Sequence, residues 1–299
     1  MRALVTGAGG FLGRHVVGRL REIGADVFTL GVERPGKLAS DRAFLLNTPV
    51  DVEGIGTAMR AVRPNLVFHL AGTPNAEPLE DTYRVNVLFG VHLLYAALQQ
   101  SSPPPVLLAG SAAEYGPVEG AALPVTEDTP CRPVSAYGIT KLAQTHHGLA
   151  AAAGQPVVMA RLFNVIGAGM PTHLALGAFA AQIRAMPAEG GILRSGPLAR
   201  ERDFVEAAPT AAVLIDLLRN AAAAGQVVNV CSGQATSLAD LTSALVAASG
   251  LRVAMQEDAW RAGNSDTVRH WGSAARLETL GYRLPPPNAV RVAHALLNS

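Results

Sequence analysis

The chain has 299 residues, 49% of them hydrophobic, enough to bury a full core and build one large α/β domain or one and a half. Formal net charge is +1 with no long basic or acidic run, which argues against nucleic acid or a membrane surface as partner. No stretch approaches the ~18 apolar residues of a membrane span, and Met1–Val5 runs straight into a strand, so no signal peptide is expected. Cys131 and Cys231 are too few for a disulfide framework, and a cytoplasmic setting is the inference.

Ala3-Leu4-Val5-Thr6 reads as a short apolar strand, followed by Gly7-Ala8-Gly9-Gly10-Phe11-Leu12-Gly13 and a helix from about Arg14 to Ile23. Gly7, Gly10 and Gly13 permit a tight turn, close backbone approach and helix–strand packing, and the helix N-terminus then faces a pyrophosphate. The spacing is Gly-x-x-Gly-x-x-Gly. Placed between a strand and a helix at the chain's start, with Phe11 and Leu12 at the turn, it predicts a dinucleotide site.

A second strand, Asp26 to Leu30, ends at Gly31, where NAD enzymes usually place an acid for the ribose 2′-hydroxyl. The missing carboxylate removes repulsion towards a 2′-phosphate, and Arg34 and Lys37 follow as cations that could pair with it. NADP(H) is therefore expected over NAD(H). Glu33 argues the other way, and Arg34 and Lys37 also read as a solvated loop.

Asp51-Val52 is placed where an adenine ring should lie. Leu66-Val67-Phe68-His69-Leu70-Ala71-Gly72 reads as a strand buried on both faces, with Leu70, Ala71 and Gly72 letting the cofactor approach. His69 reads as a core residue with satisfied hydrogen bonds. Residues 82 to 100 form a helix, and Asn86 within it either reaches the site or pins the sheet.

Val106 to Gly110 is the next buried strand and delivers Ser111 at its carboxyl end, where open α/β sheets bind ligands. After a Pro-rich crossover containing Cys131 comes Tyr137-Gly138-Ile139-Thr140-Lys141. Tyr and Lys four apart lie on one helix face. The ammonium is expected to lower the phenol pKa, and Ser111 to donate beside it, so that the pair stabilises a developing alkoxide. A strand from Val157 to Leu162 ends at Phe163-Asn164. From about Met170 the β-α alternation stops, and helix 174–186, loop 190–202 and segments 227–230 and 237–249 read as a smaller lobe.

The motifs Thr6 to Gly13, His69 to Gly72, Ser111, Tyr137 to Lys141 and Arg161-Leu162-Phe163-Asn164 resemble the extended short-chain dehydrogenase/reductases across nearly the whole chain. Arg200 to Phe204 and Asn229 to Gly233 resemble its nucleotide-sugar branch, and within it the reductases of 4-keto-6-deoxy GDP-sugars. The resemblance implies an α/β fold: a Rossmann doubly wound parallel sheet with a smaller C-terminal α/β substrate lobe. Residues 1–166 would be the NAD(P)-binding domain, and 167–299 mainly the lobe, with some segments returning to the first domain. It further implies Ser111, Tyr137 and Lys141 as the catalytic set, Lys141 on the nicotinamide ribose, and homodimer pairing through the helices after Asp81 and Ser135.

Two departures narrow the reaction. Family dehydratases carry an acid/base pair directly after the catalytic Ser or Thr, whereas this chain has Ala112 and Ala113, with Glu114 one position late; dehydration is not expected. The loop over the substrate is strongly apolar, with Met170, Leu174, Leu176 and Phe179, while Arg194, Arg200, Arg202, Arg261 and Arg269 are candidate cations for a diphosphate. Ser111, Ala112, Ala113, Asn164, Met170 and Leu174 are the expected substrate contacts. The apolar loop favours an NADPH-dependent ketoreductase acting on an apolar ketone, such as an aromatic polyketide of antibiotic biosynthesis. The alternative is a reductase or epimerase of a nucleotide-linked 4-keto-6-deoxy sugar, with those apolar residues simply packing the lobe. No metal is expected.

Overall fold

Seven parallel strands make the central sheet of the computed structural model, which describes residues 1–32, 42–74, 77–118, 120–258 and 268–299. The strands are β1 (Arg2–Thr6), β2 (Asp26–Gly31), β3 (Ala43–Leu45), β4 (Leu66–His69), β5 (Val106–Ser111), β6 (Val157–Leu162) and Val227–Val230. In space they run Val227–Val230, β6, β5, β4, β1, β2, β3, with every pairing parallel. All four residues of β4 are buried, as continuous apolar runs covered on both faces require.

Alternation along β1 divides the core. Ala3 and Val5 join Val16, Val17 and Leu20 of helix α1 (Phe11–Glu22) in one layer, while Leu4 joins Ile55 and Met59 of α2 (Val52–Val62) in the other. The second layer also takes Leu93 of α4 (Phe89–Leu98), which continues from α3 (Leu79–Tyr83) through one π-helical turn, Arg84–Leu88. Helix α5 (Ala136–Ala151) joins β5 to β6.

After β7 (Asn164–Ile166) the chain builds a second core. Leu176, Phe179 and Ile183 of α6 (Ala175–Arg184) meet Leu193 of β8 (Gly191–Ser195). After β9 (Glu201–Arg202) and β10 (Phe204–Glu206), α7 (Ala207–Arg219) packs back on the first core through Ala211, Leu214 and Leu218. Val227–Val230, here β11, is not part of the lobe as its position in the chain suggested. It is buried at all four residues and pairs with β6, because an apolar run without alternation needs cover on both faces. The lobe then resumes with β12 (Thr236–Ser237), α8 (Leu238–Ser249), β13 (Val253–Glu257) and β14 (Arg269–His270). Helices α9 (Ala275–Thr279) and α10 (Ala289–Leu297) end the chain, and Leu241, Leu245, Val292 and Leu296 of α8 and α10 complete the second core. Among the described residues no helix is long and apolar enough to cross a membrane.

Helix α1 begins at Phe11, three residues before the sequence expectation, because the turn closes at once with Gly10 N donating to Gly7 O at 3.0 Å. Gly13 is what allows the contact, since a Cβ there would stand 2.1 Å from Gly7 O. Gly13→Ala should therefore lower stability by about 1–3 kcal/mol through overpacking. Gly18→Ala, on the same helix with nothing within 4 Å of its Cβ, should raise it by about 0.5–1 kcal/mol. Calorimetric melting of the two variants checks the opposite signs.

Candidate active site

Strand register brings four carboxyl ends together. Thr6 pairs with His69, His69 with Leu108, and Ser111 with Leu162, so β1, β4, β5 and β6 finish along one edge. This is where a parallel sheet presents ligands to outward-turning loops.

Ser111 ends β5 and caps the short 3₁₀ turn Ala112–Glu114, its Oγ accepting from Ala113 N at 3.2 Å. Helix α5 starts at Ala136 under an N-cap from Ser135, whose Oγ accepts from Gly138 N at 3.1 Å. Gly138 lets the helix lie against that turn, since a Cβ there would meet Ala113 O at 2.5 Å. The approach brings the Tyr137 hydroxyl to the Ser111 side chain. Lys141, one turn further, is buried and donates to Ala109 O at 2.9 Å and to Gln144 Oε1 at 3.0 Å.

The electrostatics differ from the sequence expectation. Burial pushes the Tyr137 phenol up, the Ser111 hydrogen bond partly opposes this, and Glu114 adds to the rise. No lowering by Lys141 arises, because that ammonium is turned to Ala109 and Gln144. Lys141 itself is pushed down to about 8 by burial, against the pull of Glu114.

Glu114 entered the sequence reading only as an acid one position late for a dehydratase pair. It is fully buried, and its carboxylate accepts from Ser111 N at 2.8 Å, Thr145 Oγ1 at 2.9 Å and Arg161 Nε at 2.8 Å. The Arg161 guanidinium in turn lies 4.7 Å from the centre of the Tyr115 ring, and Tyr115 OH donates to Asn229 Oδ1 at 2.6 Å. Two signals in the sequence could have found this arrangement. Ser111-Ala-Ala-Glu114 has capping-box spacing, and an arginine inside the run Val157–Leu162 demands a buried acid.

The glycine turn meets the requirements of a dinucleotide. No side chain caps the N-terminus of α1 and its first turn holds no acid, so its N–H groups and positive dipole end are left for an anion. Gly7 has φ +67°, and a Cβ there would stand 2.6 Å from Ala71 N, so Leu70 and Ala71 close on it backbone to backbone. A Cβ at Gly72 would come 3.1 Å from Lys141 Nζ, so the loop after β4 runs directly beside that ammonium. Asn86 sits in the π-helical turn, fully buried, holding Thr73 N and O and donating to Thr140 Oγ1 at 3.0 Å; it braces this loop. Asp51 acts as N-cap of α2, accepting from Gly54 N at 2.8 Å and from Asn47, while Val52 beside it is exposed. Glu33, Arg34 and Lys37 lie outside the described residues.

On the substrate side the expected contacts separate. Asn164 is exposed near the site edge, with its Nδ2 donating to Asp203 O at 2.8 Å. Leu176 and Phe179 are buried in the lobe core and Met170 packs against it, whereas Leu174 is exposed. The apolar loop is thus largely packing, which removes the main ground for an apolar ketone. Helix α1 grips this loop, with Arg14 Nη2 donating to Gly169 O and His15 Nε2 bonding Ala168 O, both at 3.0 Å. Arg194 lies 3.5 Å from Asp258 and Arg269 2.6 Å from Glu201. Arg202 is held below its usual range first by burial and then by Arg200, and its Nη1 donates to Glu201 O and Val268 O, both at 2.9 Å. Arg261 lies outside the described residues. Asp203, read in the sequence only as part of the Arg200–Phe204 motif, is buried and accepts from Ser232 N and Oγ, both at 2.8 Å, and from Gly233 N at 3.0 Å.

Comparison with known proteins agrees with this geometry. The chain belongs to the NAD-dependent epimerase/dehydratase family, whose model matches residues 3–231. It is 33% identical to the dTDP-6-deoxy-L-talose 4-dehydrogenase (NAD(P)(+)) of Kitasatospora kifunensis, over 86% of this chain and 81% of that one. It is 29% identical to the GDP-6-deoxy-D-mannose reductase of Pseudomonas aeruginosa, over 94% and 91% of the two chains. The solved structure of RMD from Pseudomonas aeruginosa complexed with NADPH superposes with a TM-score of 0.84 at 27% identity, covering 99% of this chain and 96% of that one. The chain is thus an NAD(P)-dependent enzyme with an extended short-chain dehydrogenase fold. These relatives act on sugar nucleotides, and none supports a polyketide ketone.

His69 gives a pH test of the buried layer beneath the site. Its Nδ1 shares a hydrogen bond of 2.8 Å with Thr6 Oγ1, its Nε2 has no partner, and burial with nearby Lys141 pushes its pKa down to about 3. Below pH ~6.5 the unfolded chain takes up a proton that the folded chain refuses, so stability falls as pH falls through this window. The loss from this group should reach about 2 kcal/mol by pH ~5. Urea unfolding at pH 7 and pH 5 should show a smaller acid loss in His69→Gln than in the unaltered protein. Equal losses would assign the acid sensitivity elsewhere.

Proposed function

We propose that this protein is an NADPH-dependent reductase of a 4-keto-6-deoxy hexose carried on a nucleoside diphosphate. The observation that carries the reading is the convergence of Ser111, Tyr137 and Lys141 at one sheet edge, with Ala112 and Ala113 where a dehydratase needs its acid and base. Residues 1–166 would hold the dinucleotide and the lobe formed mainly from 167–299 the sugar nucleotide.

When bound, a reduced nicotinamide supplies a hydride to the carbonyl carbon. The Tyr137 hydroxyl gives its proton to the carbonyl oxygen, Ser111 donates a hydrogen bond to the same oxygen, and the products are the alcohol and the oxidised cofactor. Tyr137, held above the usual phenol range, carries its proton at neutral pH, which suits reduction rather than alcohol oxidation. Lys141, next to the Gly72 backbone, is placed to hold the nicotinamide ribose. Gly7, Gly10 and the N–H groups of Phe11, Leu12 and Gly13 would take the pyrophosphate, with Asp51 and Val52 at the adenosine half and Leu70 to Gly72 letting the cofactor approach. Preference for NADPH over NADH rests on Gly31, Arg34 and Lys37 in the sequence and on the NADPH held by the Pseudomonas relative.

A diphosphate needs convergent cations, and Arg200 and Arg202, two residues apart in the lobe, are the candidates for that role. Epimerisation would use the same three residues but starts from an alcohol and the oxidised cofactor, and gives the hydride back to the turned keto-sugar with no net use of NADPH. NADPH oxidation with GDP- and dTDP-linked 4-keto-6-deoxy hexoses tests the reading, with aromatic polyketide ketones as the second panel. Turnover of the sugars is expected, and turnover of the polyketides alone would overturn the proposal. Tyr137→Phe should lower kcat by about 10²-fold. Arg202→Gln should raise KM for the sugar nucleotide by about ten-fold with the NADPH KM unchanged.

Exposed Tyr83, Leu88 and Tyr95 on the α3–α4 segment, with Ile139 and Leu149 on neighbouring α5, support pairing into a homodimer through these two helices. Tyr95→Glu should then shift the mass measured by light scattering from dimer to monomer.

A further inference from the structure

Glu114 is absorbed by no part of the proposed reaction, yet it lies directly behind it. Its carboxylate is fully buried and meets three different elements: Ser111 N at the end of β5, Thr145 Oγ1 on α5 and Arg161 Nε on β6. The first carries the hydroxyl that would bind the carbonyl oxygen. The second lies on the helix that carries Tyr137 and Lys141. Gly110 makes room for the arrangement, because a Cβ there would stand 2.5 Å from Glu114 Oε1. The Arg161 pair balances the charge, and the remaining lone pairs need donors from some neighbour. Two of the three bonds run to the elements that bear the reacting groups.

Resting on the reading of Ser111, Tyr137 and Lys141 as the reducing set, we infer that Glu114 is a positioning residue for the reaction: its one carboxylate ties the strand end bearing Ser111 to the helix bearing Tyr137 and Lys141, and its charge acts on both. Thr145 is eight residues beyond Tyr137 and four beyond Lys141, so the tether lies one helical turn past the lysine. The charged and titratable groups around it are Arg161 and Tyr115 behind, Cys131 on the crossover, Tyr137 and Lys141 on α5, and His69 beyond Lys141 on β4. The carboxylate holds the Tyr137 phenol and the Lys141 ammonium in their protonated forms, the state a proton donor to a ketone requires.

Two variants separate the tether from the charge. Thr145→Val removes the bond to α5 and leaves the buried ion pair whole; kcat should fall about ten-fold or more, as expected when a reacting group is slightly displaced, with both KM values within about two-fold. Glu114→Gln keeps the shape and removes the charge. The tyrosinate absorbance of Tyr137, taken as the difference from the same protein carrying Tyr137→Phe, should then titrate at lower pH, and the alkaline limb of the kcat profile should move with it. An unchanged kcat in Thr145→Val overturns the proposal, whether or not Glu114→Gln folds with its Arg161 unpaired. An unmoved Tyr137 titration in folded Glu114→Gln overturns the part played by the charge. If the unaltered enzyme reduces no keto-sugar nucleotide, the reading of its function fails, while the Tyr137 titration still reports on Glu114.

Discussion

The site depends on one close approach, helix α5 lying against the end of β5. Gly138 permits it by having no Cβ to meet Ala113 O, and Ser135 holds the helix start by capping it. Without that contact Tyr137 would not reach Ser111, however well each residue was placed along the chain. Gly148 repeats the device nearly three turns later, where a Cβ would come 2.8 Å from Leu108 on β5. The helix is thus seated by glycines near both ends, with Lys141 and Thr145 between them and Tyr137 just before the first.

Close seating brings charge into the interior, and that has its own consequences. Lys141, Glu114, Arg161 and Asp203 are all buried. Desolvation of such groups costs several kcal/mol each unless partners replace water. Glu114 with Arg161 and Asp203 with the Ser232–Gly233 backbone meet that demand through three or more hydrogen bonds per carboxylate. Lys141 meets it only in part, with a carbonyl and an amide for partners and a pKa pushed down to about 8.

The two lobes are joined through the same region. Arg14 and His15 on the helix of the glycine turn hold the loop at Ala168–Gly169, and Asp203 fixes the crossing of Ser232–Gly233 beside Gly272. The loop that looked like a lid for an apolar molecule buries Leu176 and Phe179 in its own lobe's core, leaving Leu174 exposed. Hydrophobicity in a sequence reports that a residue will be buried, not against what. That is why composition pointed to an apolar ketone and the fold does not.

Much of this was readable in the chain. Continuous apolar runs marked the buried parallel strands, the glycine turn marked the mouth of the first βα unit, and Tyr137 with Lys141 four apart marked one helix face, because these follow from local backbone geometry. Register, partners and charge did not follow. Whether Lys141 lowers the phenol pKa, whether Val227–Val230 joins the lobe or the sheet, and where Glu114 points are settled by residues dozens of positions away. Val230 lies beside Leu162, and Arg161 beside Glu114, only once the chain has folded. The sequence by itself determined which residue types could carry the chemistry; the tertiary structure decided which of them meet and in what dielectric, because hydrogen bonding and desolvation act over a few ångströms of space and not along the chain.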